Sequence, residues 1–154
     1  MTELNSIYNT KILELAAALP RTKRLAHADA TATAHSKLCG STVSVDIVLD
    51  GDRIVDFGQT VKACLLGQAA ASIVGREIIG TSAQEIRAVA EAMRAMLKEN
   101  GTPPTGKWAD LAVLEPVRDY KARHTSTMLV FEAIMRALDD IAARSSGAAA
   151  AQPA

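Results

Sequence analysis

The chain has 154 residues, 49% of them apolar, and its 17 basic residues balance 17 acidic ones, so the formal net charge is zero. A chain of this length forms one domain by the usual size range and buries roughly two-thirds of its unfolded surface. The zero net charge argues against broad electrostatic binding to nucleic acid or to an anionic membrane surface. The N-terminus lacks the charged-then-apolar order of a signal peptide, and no apolar run reaches the length of a membrane span. These features predict a cytoplasmic protein with reduced thiols.

The first sixty residues combine one helical stripe with three alternating segments. The stripe predicts a first helix that ends near Pro20, and its buried side consists of Leu4, Tyr8, Ile12 and Leu15. Period-two alternation predicts three strands, at residues 29–37, 42–49 and 53–61. The last two strands are joined by Asp50-Gly51-Asp52, which is a strong hairpin turn. We therefore expect three antiparallel strands in the first part of the fold.

Two helices follow the predicted strands. The small and apolar residues after Cys64 predict a tightly packed helix, and Gly80 closes it. A capping box at residues 82–85 predicts the start of the next helix, because its serine and glutamate can each bond a backbone N–H that the helix leaves unpaired. Gly101 and the two prolines that follow it are expected to end this helix.

The last third of the chain completes the predicted architecture. A loop around Trp108 leads to a short apolar turn or helix at residues 111–114. The last helix is predicted from about residue 126 to residue 143, and the alanine-rich residues 145–154 are expected to form a flexible tail. Because the strands precede the helices, the expected fold class is α+β, with helices packed on one face of a three-stranded antiparallel sheet. Residues 1–144 are expected to form this single domain.

The chain has two cysteines, Cys39 and Cys64, and each has a setting that suits a reactive thiol. Cys39 lies in a loop before a strand, next to Lys37. Cys64 lies at the first turn of a helix, where backbone N–H groups and the helix dipole favour a thiolate, and Lys62 is close in sequence. In a reducing compartment such thiols bind metal, take part in redox chemistry or are simply buried as small apolar side chains.

The order of these features resembles a known family. Cys39-Gly40-Ser41 precedes a strand, Cys64 precedes a helix with Ala69-Ala70-Ala71-Ser72, and Ser126 begins the last helix. This arrangement resembles the U-type iron–sulfur cluster assembly scaffolds (the NifU N-terminal, IscU and SufU group), and the long segment between Cys64 and Ser126 is similar to the SufU branch. The resemblance implies a scaffold or carrier protein rather than an enzyme. The partners it implies are a cysteine desulfurase and proteins that receive iron–sulfur clusters.

The resemblance also implies a ligand set. Cys39 and Cys64 match two cysteines that hold zinc, iron or an Fe–S cluster in the family. Ser41 and Ser126 stand where the family has an aspartate and a third cysteine, and a serine hydroxyl is a poor metal ligand at neutral pH. His124 is a candidate third ligand because imidazole binds zinc and iron readily, although a helix-start histidine bonded to backbone is the alternative. A homodimer would instead supply four thiolates, two from each protomer.

Three functional hypotheses therefore stand at this point. In the first, the protein is a scaffold or carrier that holds iron, zinc or an Fe–S cluster through Cys39 and Cys64. In the second, the same cysteines relay sulfur or form a disulfide without any metal. In the third, the protein has lost metal binding and acts as a degenerate homologue that regulates a cysteine desulfurase. All three share one fold, so the fold alone does not choose among them.

Overall fold

The computed structural model describes residues 9–37 and 40–151, with side chains as far as residue 145. Leu4, Tyr8 and Cys39, which were assigned to the first helix stripe and the candidate site, lie outside the described residues. Four helices and three strands follow one another along the described chain, separated in one place by two 3₁₀ segments. They are α1 (Thr10–Ala17), β1 (Ala30–His35), β2 (Thr42–Asp50), β3 (Arg53–Lys62), α2 (Leu65–Glu77), α3 (Ala83–Lys98), the 3₁₀ segments Gly106–Asp119 and Lys121–Arg123, and α4 (His124–Ala151).

The three strands form one antiparallel sheet in the order β1-β2-β3, as the alternation predicts. Val43, Val45 and Ile47 on β2 are fully buried, so the predicted inward face of this strand is confirmed. Leu49 also packs against the core but is only half-buried, and the pairing of β2 with β3 shifts register between Val48 and Leu49. Such a bulge bends the strand and increases its local twist.

The helices cover the inner face of the sheet, which confirms the predicted α+β architecture. Helix α4 crosses β1 and β2, and the Arg136 guanidinium on its outer side donates a hydrogen bond of 2.9 Å to the Thr33 carbonyl on β1. Helix α2 lies between α1 and α4, and nine of its thirteen residues are buried. Its run of alanines lets the neighbouring elements approach closely, because each alanine adds only one methyl group to the interface.

The outer face of the sheet carries a buried carboxylate that the strand pattern does not predict. Asp46 on β2 points away from the helices and is covered by the connection that precedes β1. Its two oxygens accept hydrogen bonds from Arg24 Nε (2.6 Å) and Nη2 (2.8 Å), from the Leu25 amide (2.9 Å) and from Thr31 Oγ1 (2.6 Å). The hydrogen bonds from Arg24 lower the pKa of Asp46 to about 2, against the opposing effect of burial. This network fastens the 21–29 connection to the sheet.

The loop predicted around Trp108 and the short apolar turn or helix predicted at residues 111–114 together form one long 3₁₀ stretch, Gly106–Asp119. Its buried side chains recur at every third position, which is the period of a 3₁₀ helix, and they are Trp108, Leu111, Leu114 and Val117. Trp108 anchors the stretch to α3 through a 2.8 Å hydrogen bond from its indole N–H to the Glu85 carboxylate. The capping serine predicted before α3 is confirmed, since Ser82 Oγ accepts from the Glu85 amide at 2.9 Å.

The last helix is longer than predicted at both ends. It begins at His124 rather than near Ser126, and it continues to Ala151 rather than ending near Ala143. Alanine has the highest helix propensity, and the single Gly147 costs only about 1 kcal/mol, so nothing in the local sequence stops the helix before Pro153. The flexibility of residues 145–154 stays a prediction. No helix within the described residues is long and apolar enough to cross a membrane.

Candidate functional site

The sheet register brings two segments of the candidate site to one end of the fold. Thr42, the first residue of β2, pairs with His35 at the end of β1 and with Lys62 at the end of β3. The connection at residues 36–41, which contains Cys39, therefore leaves the sheet at the same end as the segment leading to Cys64. Because the strands are antiparallel, this proximity follows directly from the hairpin pairing.

A tight turn shapes the described part of the connection between β1 and β2. The Ser36 amide donates to the Ser41 carbonyl at 2.9 Å, and the Gly40 amide donates to the Ser36 carbonyl at the same distance. Gly40 has a φ of +71°, a left-handed conformation that glycine adopts without the strain of a Cβ atom. Ser41, predicted as a weak ligand, is buried at the start of β2. The glycine in the Cys-Gly-Ser sequence therefore has a clear role in the backbone turn.

Cys64 occupies the N-cap of α2, as predicted for a thiol at a helix start. Its side chain makes no capping hydrogen bond to the helix, and it is half-buried. Its Sγ atom lies 3.5 Å from Ser126 Oγ, at the first turn of α4. The structure thus brings together two of the predicted site residues, one thiol and one hydroxyl, which are 62 residues apart in the chain.

Ser126 is fully buried, and its hydroxyl bonds a backbone carbonyl three residues earlier in the chain. Its hydroxyl donates to the Arg123 carbonyl at 3.2 Å, and Thr127 Oγ1 donates to the same carbonyl at 2.7 Å. The Cys64 thiol can donate to Ser126 Oγ while the hydroxyl points at Arg123. Because Thr127 already satisfies that carbonyl, the hydroxyl can also turn toward Cys64 and donate to a thiolate.

Gly67 allows the two helices to meet at this point. A Cβ atom on Gly67 would lie 2.9 Å from the Ser126 carbonyl oxygen and 2.9 Å from Ala63 Cβ. Real side chains do not pack at such distances, so only glycine permits this approach of α2 to α4. The sequence contained the signal, since a glycine within a helix of small residues often marks close backbone contact. Our sequence interpretation missed this residue.

His124 is buried, with 5% of its surface exposed, and its ring faces the 3₁₀ segment. The Nε2 atom lies 3.0 Å from the Val117 carbonyl oxygen and 3.1 Å from that of Arg118. Carbonyl oxygens only accept hydrogen bonds, so Nε2 carries a proton and only Nδ1 is available to a metal ion. The backbone-bonded alternative for a histidine at the helix start is the arrangement that the structure contains.

The donor chemistry of the described residues is therefore limited. Within residues 9–37 and 40–151, no group of three His, Cys, Asp or Glu side chains lies together in a geometry that could hold a metal ion. Cys64 contributes a thiol that is partly open to solvent and available for metal binding or for covalent chemistry. Ser126 and Ser41 add hydroxyls, which bind zinc or iron poorly unless they lose a proton.

The chain is similar in sequence to a known protein family and to a curated scaffold protein. Residues 7–127 match the family model of the NifU-like N terminal domain. Across 100 residues the chain is 24% identical to the iron–sulfur cluster assembly scaffold protein IscU of Streptococcus pyogenes serotype M1. This match covers 65% of the chain and 63% of that protein's length, so it spans a little under two-thirds of the curated relative.

Two crystal structures share the fold. A nitrogen-fixing NifU-like protein (N-terminal) from Brucella abortus is 50% identical, with a TM-score of 0.89 over 90% of this chain and 96% of that one. A candidate iron–sulfur cluster assembly scaffold protein for the SUF system from Fervidobacterium islandicum is 21% identical, with a TM-score of 0.78 over 87% of this chain and 98% of that one. At that lower identity the likeness shows the fold alone.

Proposed function

The chain belongs to the NifU-like N-terminal domain family, within the U-type iron–sulfur cluster assembly scaffolds, and from this premise we propose that it carries iron, zinc or a nascent Fe–S cluster as cargo through Cys39 and Cys64. The observation that carries the proposal is the sheet register. Thr42 pairs with both His35 and Lys62, so the connection that contains Cys39 and the segment that leads to Cys64 leave one end of the sheet together.

One protomer offers two thiolates, whereas a tetrahedral site takes four donors. We propose that a second protomer completes the set, because two copies of Cys39 and Cys64 supply the four thiolates that a [2Fe–2S] cluster binds. His124 enters the proposal only through Nδ1, since its Nε2 atom is bonded to two backbone carbonyls. Ser126 then acts as a neighbour of Cys64 rather than as a ligand.

In this proposal the protein acts as a cytoplasmic binding protein and performs no catalysis of its own. A cysteine desulfurase supplies the sulfur, and recipient proteins take the finished cluster. The half-buried position of Cys64 supports such a role, because cargo that is passed on must remain accessible to its donor and its recipient. The single hydrogen bond of its Sγ leaves sulfur lone pairs available for iron or zinc.

A second candidate is sulfur transfer without metal, and one observation favours it. Cys64 lies at the N-terminus of α2 beside a hydroxyl that can donate to a thiolate, which suits a nucleophilic sulfur. In that case Cys39 and Cys64 would relay sulfur from the desulfurase, and stable metal binding would be absent.

The test is anaerobic purification and reconstitution with iron and sulfide, followed by metal and acid-labile sulfide analysis and an absorption spectrum. The wild type should hold about two irons per dimer with thiolate-to-iron absorption, and Cys39→Ala and Cys64→Ala should each abolish loading. His124→Ala, compared with His27→Ala as an exposed histidine control at the other end of β1, shows whether the imidazole is a ligand.

Two results would overturn the proposal. Full metal stoichiometry in both cysteine variants would exclude the ligand assignment. Absence of metal in the reconstituted wild type would leave sulfur transfer or a regulatory role, which persulfide labelling of the two cysteines after incubation with a cysteine desulfurase would separate.

A further inference from the structure

Helices α3 and α4 run antiparallel and leave an open groove between them. At one end, Arg87 on α3 forms an ion pair of 2.8 Å with Asp139 on α4. At the other end, Lys98 on α3 and His124 on α4 line the same cavity. Within the described residues, every side chain that lines the groove belongs to one of these two helices.

The floor of the groove is apolar, and its walls have helical spacing. The cavity has a volume of about 410 Å³, and its floor consists of Ala90, Met128, Phe131 and Met135. The α3 wall presents residues 87, 90, 91, 94 and 98, which lie on one face of the helix. This face spans about 16 Å, or three helical turns. Two half-exposed methionines in the floor suit a binding surface, because their unbranched side chains adapt to different partners.

Positive charge is concentrated at one end of the groove. A second cavity of about 380 Å³ adjoins it there and is lined in part by Lys98, Arg118 and Lys121. Lys98 and Lys121 are exposed and form no ion pair within the described residues. Arg118 pairs with Glu115 at 3.0 Å, but its Nε atom is buried without a hydrogen-bond partner in the described chain.

The other cations of the groove are already engaged in ion pairs. Arg87 pairs with Asp139, and Arg94 pairs with both Glu91 and Glu99 at 2.6 and 2.7 Å. Within the described residues, the groove cations without an ion-pair partner are thus confined to the Lys98 end. A ligand that matches this surface is apolar along three turns and negatively charged at one end.

We propose that this groove docks an amphipathic helix of a partner protein, about three turns long, with its apolar stripe on the methionine floor and acidic residues over Lys98 and Lys121. A helix is favoured over a small molecule because the groove is open along its length, whereas small-molecule sites enclose most of their ligand. The docked helix would lie against Thr125, which is adjacent in sequence to Ser126, the residue that contacts Cys64. The proposal does not depend on metal binding.

The test uses the full ¹⁵N-labelled chain and two synthetic fourteen-residue helical peptides as probes. Both peptides carry leucines at i, i+4, i+7 and i+11; one ends in three glutamates and the other in three lysines. The glutamate peptide should bind in the micromolar range and shift the amide signals of Ala90, Arg94, Met128 and Met135. The lysine peptide should bind at least tenfold more weakly.

Charge reversal identifies the end of the groove that is responsible. Lys98→Glu/Lys121→Glu should weaken binding of the glutamate peptide about tenfold, because two favourable charge contacts become repulsive. Lys11→Glu/Lys23→Glu makes the same net change on exposed lysines outside the groove and should leave the affinity within about twofold. Circular dichroism verifies that both variants are folded.

Five outcomes would overturn the proposal. They are equal binding of both peptides, shifts confined to another surface, shifts with decanoate as a further probe but with neither peptide, concentration-dependent shifts in the absence of peptide, and absence of shifts with every probe. The third would assign the groove to a small amphipathic carboxylate, and the fourth to a second copy of the chain.

Discussion

Asp46 and Cys64 are both polar groups set into the fold, but their surroundings differ in how many hydrogen bonds they provide. The Asp46 carboxylate accepts four hydrogen bonds from three residues, at 2.6 to 2.9 Å. Among the described residues the Cys64 sulfur has one hydrogen-bond partner, at 3.5 Å, and it remains half-exposed. A saturated group stabilises the fold and is unavailable for chemistry, whereas an unsaturated thiol contributes little to stability and can still bind or react.

The same contrast extends to the residues that support each group. Asp46 is fastened by Arg24 from a neighbouring loop, which closes the outer face of the sheet. Cys64 is placed by backbone geometry, since Gly67 lets α2 approach the first turn of α4. Three substitutions and one change of pH should distinguish effects on the stability of the fold from effects on the Cys64 thiol. Their expected effects on stability decrease from the first to the last.

The largest effect is expected from Asp46→Ala. This change leaves the Arg24 guanidinium, the Leu25 amide and the Thr31 hydroxyl without their acceptor, and it should lower the free energy of unfolding by about 3 kcal/mol. Urea denaturation measures the loss. The alkylation rate of Cys64 in the folded protein should stay at the wild-type value. A changed rate in this variant would show that the Asp46 network and the Cys64 thiol are not independent.

Acid should remove the stabilisation that Asp46 provides with a smaller loss of stability than Asp46→Ala causes. Its folded pKa of about 2 lies below the unfolded value of about 3.9, so its stabilisation is complete above about pH 5 and is lost as the pH falls from about 4 to about 2. Because Arg24 is 45% exposed and screened by solvent, we expect a loss of about 1–2 kcal/mol. Urea denaturation should show that the free energies of unfolding of the wild type and Asp46→Asn approach each other as the pH falls over this range. A constant difference would exclude the assignment of this pKa to Asp46.

Gly67→Ala should disturb the contact between Cys64 and Ser126. The new methyl group meets the Ser126 carbonyl, which belongs to backbone and cannot move alone, so the variant should lose about 1–2 kcal/mol of stability and separate Cys64 from Ser126. Gly75→Ala on the same helix is the matched control, because its methyl group meets the Gln59 side chain and the Pro20 ring, away from Cys64. Alkylation of Cys64 should change in the first variant and not in the second. Equal changes in both would show that α2 responds as a whole.

Ser126→Ala should have the smallest effect on stability, about 0.5–1 kcal/mol, because Thr127 still bonds the Arg123 carbonyl. It removes the hydroxyl that can donate to a Cys64 thiolate, so alkylation of Cys64 by iodoacetamide should slow about threefold to fivefold at fixed pH. Ser72→Ala removes a buried hydroxyl about two turns further along α2 and should leave the rate unchanged. Peptide mapping distinguishes Cys64 from Cys39; equal rates in both variants would show that Ser126 does not support the thiol.

Local patterns predicted the elements whose period is regular. The alternation in β2 and the turn at residues 50–52 led directly to the hairpin, because period-two burial and turn chemistry are both local. Ser82 correctly marked the start of α3. The 3₁₀ stretch was missed although Trp108 and Leu111 begin a period of three, because a short apolar run is also compatible with a turn or an α-helix.

Some features of the candidate site were also predictable from local sequence, and others were not. The contexts of Cys39 and Cys64 pointed to working thiols and to the family, because helix starts and turns leave clear marks in a sequence. The pairing of Cys64 with Ser126 and the turn of the His124 ring toward Val117 required three dimensions. Their partners lie on other elements, and the direction of a side chain follows from packing rather than from its position in the chain.

The amino-acid sequence alone was sufficient for the α+β class, the order of the strands and the two thiols, since each depends on neighbours within a few residues. Only tertiary structure settled the Asp46 network, the close contact at Gly67 and the charged end of the groove between α3 and α4. Arg24 and Asp46 are 22 residues apart, and Cys64 and Ser126 are 62 apart. Contacts at such separations depend on how whole elements pack, because hydrophobic burial has no direction and leaves the exact neighbours to shape.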